Sequence, residues 1–414
     1  MEKKSVIDVG IGFATGRKNF LKVLRTYIYN WDETGMTHHG SIRLHVLIAY
    51  DLTYNKTKPS DFTRISAELK EKVEDIQFVD ARFTQDTVRE LTEQGVIDPD
   101  EAEMFFSSGY AAMRNAVLYA AVQRKMDYLL FLDDDEYPLA VTRAHEVALW
   151  SGQPVLATHL QYISDADITN GFHCGYISPI PFIRFDERLT VDDFRPFVEA
   201  ISNDIISWDN IARIMKQGGV TYADTQVLIR NQPAEVPEIN GCKFISGSNL
   251  CLNLTDPDRL YPFFNPPGAR GEDTFLSTCL SQRKVMRVPC YAFHNGFSIY
   301  NYLLSGVLPA KLQPITAESR HVINRFYSAC IGWVRYKPLL LYITQREQYA
   351  RKIDEMRGRL SATLPKISAY FQMKEFHKIM DELDRYDQDV EKHYAQFLQT
   401  RQIWEKLNAY LQSR

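Results

Sequence analysis

The sequence predicts an α/β fold: a mostly parallel sheet with helices on both faces over residues 1–315, then an α-helical C-terminal region over 316–414. Three observations predict it. Runs rich in Val, Ile and Leu alternate with stretches of helical spacing, acids collect at the ends of those runs, and glycine becomes scarce beyond residue 316. A β-α-β-α order favours parallel strands joined by crossover helices.

The elements follow in order. Val6–Phe13 reads as the first strand, and Phe20, Leu24 and Ile28 mark the helix after it. Leu44–Ala49 and Ile76–Val79 read as the second and third strands, closed by Tyr50-Asp51 and by Asp80. Ala111–Gln123 has helical spacing, and Tyr128–Leu132 is a fourth strand that ends in Asp133-Asp134-Asp135-Glu136. In sheets of this kind ligands bind beyond the carboxyl ends of the strands. Asp51, Asp80 and the acid cluster are therefore expected at one crevice. Residues 160–240 are rich in Asp, Asn, Pro and Gly and read as an insertion or lid, with a weak strand at Pro154–Tyr162. Phe244–Leu254 returns to a strand pattern, a helix starts near Glu272, and Val285–Pro289 with Tyr291–His294 close the sheet. In the C-terminal part Phe376, Leu383, Val390, Phe397, Trp404 and Leu411 recur every seven residues. That repeat signals helix-on-helix packing, as an intramolecular hairpin or as a homodimer seam, and two helical segments favour the hairpin.

Bulk properties exclude several classes. The 414 residues suffice for a large core plus an accessory region, and a net charge of −4 does not ask for a nucleic-acid partner. Six cysteines without a Cys-x-x-Cys pair read as reduced, buried thiols of a cytoplasmic protein, and Asp8 and Gly10 interrupt any signal-peptide core after Met1-Glu2-Lys3-Lys4-Ser5. No apolar run is long enough to span a membrane. Trp333–Leu341 is aromatic, basic and apolar, and fits a core-facing helix better than a peripheral membrane contact. Gly10-x-Gly12-x-x-x-Gly16 places its third glycine too late for a dinucleotide fingerprint, and neither a P-loop nor a nucleophile elbow is present.

The chemistry-bearing residues are few. Four adjacent acids after an apolar strand repel one another unless something positive sits among them, and a Mn²⁺ or Mg²⁺ ion would serve. Asp133 and Asp135 share a face of an extended segment. Glu272-Asp273 opens a helix, where acids are favoured by the backbone dipole, and can also supply a general base. His294 precedes Asn295-Gly296, a turn that aims it at the crevice.

Taken in order, Val9-Gly10-Ile11-Gly12-Phe13, Arg114-Asn115, Asp133-Asp134-Asp135, Gly247-Ser248-Asn249-Leu250, Glu272-Asp273 and His294 resemble the motifs of the GT-A glycosyltransferases, in particular the broad family 2. The acid run looks like that family's Asp-x-Asp (DxD) motif. The resemblance implies a Rossmann-like GT-A catalytic domain and a metal-dependent, inverting hexosyltransferase. Its donor would be a nucleotide-diphosphate sugar, and its acceptor a carbohydrate, lipid or protein. It implies Asp273 as base with Glu272 beside it, and Phe13, Thr15, Arg17, Asp51, Asp80, Arg114, Asp133 and Asp134 at the donor. It implies Ser248 and Asn249 at the acceptor, and Asp133, Asp135 and His294 around Mn²⁺ or Mg²⁺. A sugar-nucleotide pyrophosphorylase and a non-catalytic scaffold of the same fold are the alternatives.

Overall fold

The structure is a computed structural model and describes residues 6–53, 55–202, 208–300, 303 and 306–414. Residues 1–5, with which the sequence opens, lie outside the described residues. The strands are β1 (Ile7–Thr15), β2 (Ile42–Tyr50), β3 (Asp75–Phe78), β4 (Tyr128–Leu132), β5 (Glu136–Tyr137), β6 (Leu139–Ala144), β7 (Val147–Gly152), β8 (Ile168–Gly175), β9 (Ala234–Glu235), β10 (Glu238–Ile239), β11 (Cys242–Lys243), β12 (Leu250–Asn253) and β13 (Val285–His294). The helices are α1 (Phe20–Glu33), α2 (Ser60–Thr63), α3 (Ala67–Lys70), α4 (Ala81–Glu93), α5 (Pro99–Phe106), α6 (Tyr110–Gln123), α7 (Val155–Tyr162), α8 (Val191–Ile201), α9 (Trp208–Lys216), α10 (Thr225–Arg230), α11 (Glu272–Ser277), α12 (Arg320–Thr344), α13 (Tyr349–Phe371), α14 (Lys378–Gln388) and α15 (Val390–Gln412).

The main sheet runs β3-β2-β1-β4-β12-β8-β13-β5, with β9 on β13. Pairs β1–β2, β1–β4, β2–β3 and β8–β13 are parallel. Pairs β4–β12, β8–β12, β5–β13 and β9–β13 are antiparallel. The sheet is thus mixed, and it curls into a half-barrel. This corrects the expected fold class: the open, mostly parallel, Rossmann-like GT-A sheet does not form, and the resemblance to family 2 glycosyltransferases does not hold. The physical cause is β12. It runs against both neighbours, setting Leu250 opposite Phe131 and Leu252 opposite Leu129, so its apolar side chains fill the middle of the core whichever way the backbone runs.

Several elements form as the sequence indicates. Apolar β1, β2 and β4 are almost wholly buried, as strands covered on both faces must be. Asp80 caps α4, accepting hydrogen bonds from the backbone N–H groups of Arg82 and Phe83. Residues 160–240 depart from expectation. The weak strand at Pro154–Tyr162 is helix α7, and β8, read as part of an insertion, is a core strand between β12 and β13. The two closing strands are one, β13, with a bulge between Arg287 and Tyr291.

The seven-residue repeat is buried within the chain, but not along one seam. Phe376 and Leu383 join a core with α8 and α13, Val390 and Phe397 pack with Phe264 and Phe275, and Trp404 and Leu411 pack with Phe105 and Tyr119 of α5 and α6. Val334, Tyr336 and Leu339–Leu341 are core residues of α12. All six cysteines are free. No described helix is long and apolar enough to cross a membrane.

Candidate functional site

The carboxyl ends of β1 and β4, the start of β5 and the end of β13 meet at a cavity of about 730 Å³. Its lining includes Arg17 after β1, Asp133, Asp134 and Asp135 between β4 and β5, His294 at the end of β13, Arg114 from α6, and Arg270 and Glu272 around the start of α11. Arg325 and Trp333 reach it from α12.

The positive charge that the acid cluster requires is supplied by side chains. The Arg17 guanidinium bridges Asp134 at 3.0 Å and Asp135 at 2.8 Å. Thr15 donates its hydroxyl to Asp134 at 2.6 Å. Arg114, 3% exposed, holds Asp133 at 3.0 Å and faces Glu272 at 3.5 Å. His294 lies 3.5 Å from Asp135, and His173 lies 3.1 Å from Glu136.

These contacts sort the carboxyls. Burial raises the Asp133 pKa to about 8 against the relief from Arg114, and the neighbouring acids add to the rise. Asp134 is likewise raised by burial, against the pull of Arg17. Burial would raise Asp135 too, but His294 and Arg17 hold it well below the usual carboxylate range. Burial would lower His294, yet the Asp135 and Glu136 carboxylates push it up to about 9, so the imidazole is a cation at neutral pH.

The loop after β11 locks the rear of the site. Arg114 donates to the Gly247 carbonyl, the Gly247 N–H donates to Asp273 at 3.0 Å, and Ser248 donates to Glu136 at 2.6 Å. A Cβ on Gly247 would lie 3.2 Å from Arg114 and 3.4 Å from Asp273, so the glycine allows this close approach. Behind it, buried His159 bridges Thr169 at 2.7 Å and Asn249 at 2.8 Å, and Asn170 donates to the carbonyls of Ser248 and Asn249. Gly171 leaves room for Asn249, whose side chain would lie 2.1 Å from a Cβ there.

Of the residues singled out in the sequence, Arg17, Arg114, Asp133, Asp134, Asp135, Glu272 and His294 share the cavity. Thr15 touches Asp134 from outside the lining, whereas Asp273 accepts from the Gly247 N–H and Ser248 donates to Glu136. Asn249 is wholly buried and turned toward His159. Phe13 is a core residue packed edge-to-face against Phe20. Asp51 lines a neighbouring cavity, and Asp80 receives the Tyr50 hydroxyl at 3.2 Å. Arg270, His173, Arg325 and Trp333 were not anticipated. None left a local signal, because their approach to the site depends on where β8, α12 and the α11 loop pack.

Among the described residues no group of three or more His, Cys, Asp and Glu is arranged to hold a metal ion. Asp133, Asp135 and His294, expected as ligands of Mn²⁺ or Mg²⁺, instead face Arg114, Arg17 and each other. As placed they do not fit a cation's ligand set, and the DxD metal-binding reading is corrected accordingly. Without the expected sheet or the expected cluster, the nucleotide-sugar site and the glycosyltransferase activity inferred from it fall as well. The pyrophosphorylase and GT-A scaffold alternatives rested on the same sheet. A scan against protein-family models finds no match for this chain, and a search of curated proteins finds none.

Proposed function

We propose that this chain binds a small, uncharged, hydroxyl-rich molecule in the strand-end crevice. The observation that carries the reading is the mixed charge of the lining: Asp133, Asp134, Asp135 and Glu272 stand against Arg17, Arg114, Arg270, Arg325 and the His294 imidazolium. A strong anion meets four carboxylates, and a strong cation meets four guanidinium groups. A hydroxyl both donates and accepts, so it satisfies either set without desolvating a net charge. Trp333 adds a flat apolar surface for the carbon-bound face of such a ligand. Glu272, on the wall and oriented by Arg114, is the carboxylate suited to accept a proton from a bound hydroxyl.

Calorimetric titration with neutral monosaccharides and inositols, using sugar phosphates and diamines as charged controls, tests this. Neutral polyols should bind, and Arg270→Ala and Glu272→Gln should each weaken them about tenfold. Tighter binding of either charged control, or no heat from any neutral polyol, would sink the reading.

A further inference from the structure

A second cavity, of about 760 Å³, adjoins the first at Tyr110, Arg270 and Glu272. Its walls come from α5, the start of α6, the loop 263–270 and α15. Because three residues line both cavities, the two open into each other and not onto separate faces of the molecule. Cavities of about 300–1,000 Å³ enclose most of a drug-sized molecule, so a single sugar ring fills neither of these two.

The junction carries the groups that a chain of sugar units needs. Arg270 supplies a guanidinium that has no ion-pair partner among the described residues. Glu272, facing Arg114 at 3.5 Å, supplies an acceptor beside it. Neighbouring hydroxyls match such a pair, because each can donate to the carboxylate and accept from the guanidinium. Tyr110 adds a ring for the carbon-bound face of a sugar, and Met104 and Phe264 continue the carbon surface into the second cavity. Ser107 and Glu103 line that cavity at exposed positions and offer a hydroxyl and an acceptor to a second unit. Acids outnumber the one guanidinium there, which suits hydroxyl donors and repels an anionic unit.

We propose that the two cavities form one cleft for a linear, neutral oligosaccharide. One sugar unit occupies the first crevice, the next occupies the second cavity, and the linkage between them lies at Tyr110, Arg270 and Glu272. The proposal rests on the polyol reading of the first crevice and extends it from a single unit to a chain. Once the first unit is held, the second binds as a tethered group, so affinity rises with the number of units.

The full chain, labelled at its methionine methyl groups, is titrated with glucose and mannose and with their dimers cellobiose and mannobiose. At least one dimer should bind about tenfold tighter than its monomer. That dimer should shift the Met104 methyl resonance of the second cavity, and its monomer should leave it in place. Combining Glu103→Gln with Ser107→Ala, both at exposed positions, should lower the dimer-to-monomer affinity ratio. Monomers that bind as tightly as their dimers, a tighter dimer that leaves Met104 unmoved, or a ratio unchanged in the double variant would overturn the cleft and leave the polyol reading standing. Binding by neither monomers nor dimers would overturn the cleft together with that reading.

Discussion

The two cavities that meet at Tyr110, Arg270 and Glu272 are similar in size and opposite in construction. The first is built at the strand ends, and its acids are neutralised by arginines within the fold. The second leans on α15, and its outer acids face solvent unpaired. Internal pairing spends a carboxylate on the protein's own stability, whereas an unpaired carboxylate remains available to a ligand. The difference should show in stability, in pH dependence and in tolerance to substitution.

The largest effect is expected at the helical wall of the second cavity. Trp404 of α15 is 2% exposed and stacks on Phe105 at 6.2 Å. Trp404→Ala should destabilise the fold by about 3–5 kcal/mol, seen in urea denaturation, with amide exchange rising first along α15. The amides of β1 and β4 should be affected last. Loss of protection at the strand ends before α15 would erase the contrast between the two walls.

Next comes Arg114→Ala in the first cavity. It strips Asp133 of its guanidinium and Gly247 of its donor. Removing one partner of a buried pair should cost about 3 kcal/mol, while Arg114→Lys keeps the charge, loses the forked geometry and should cost less. Equal stability of the alanine variant and the parent would show that the pairing contributes nothing.

The pH dependence sharpens the comparison further. His294 is raised to about 9 in the fold against about 6.5 unfolded. A raised pKa contributes stability that is fully present below pH ~6.5 and lost as pH rises through about 9, a change of about 3 kcal/mol at most. Asp135 is depressed, so its contribution is present above its unfolded pKa of about 3.9 and lost as pH falls through its folded value. Midpoints of urea unfolding should therefore fall between pH ~6.5 and 9, and His294→Gln should flatten that slope. An unchanged slope in the variant would assign the dependence elsewhere.

The smallest effect is expected where the second cavity opens to solvent. Glu103→Gln should alter stability by less than about 0.5 kcal/mol, because Glu103 is exposed and unpaired among the described residues. A thermal melt showing a larger loss would mean that the cavity's acids are structural after all.

Much of the local structure was legible in the sequence. Val9, Ile11 and Phe13 and Leu129–Leu132 are strands because β-branched and other apolar runs bury on a sheet, and Asp133–Glu136 lies at a strand end as expected. The need for positive charge among those acids was legible too. What would meet it was not, because Arg17, Arg114, His294 and Arg325 come from four separate parts of the chain. The order of the motifs therefore indicated a metal site where the fold makes ion pairs.

The sequence by itself determined strands β1 to β4, helices α1 and α6, and the gathering of acids at the end of β4, because these follow from local periodicity and composition. Tertiary structure alone decided that Leu250-Cys251-Leu252 enters the sheet antiparallel, since an apolar run of alternating faces carries no mark of its direction. It also decided which arginine neutralises each acid and which acids are left unpaired, since electrostatic partners are chosen by distance in space and not by distance along the chain.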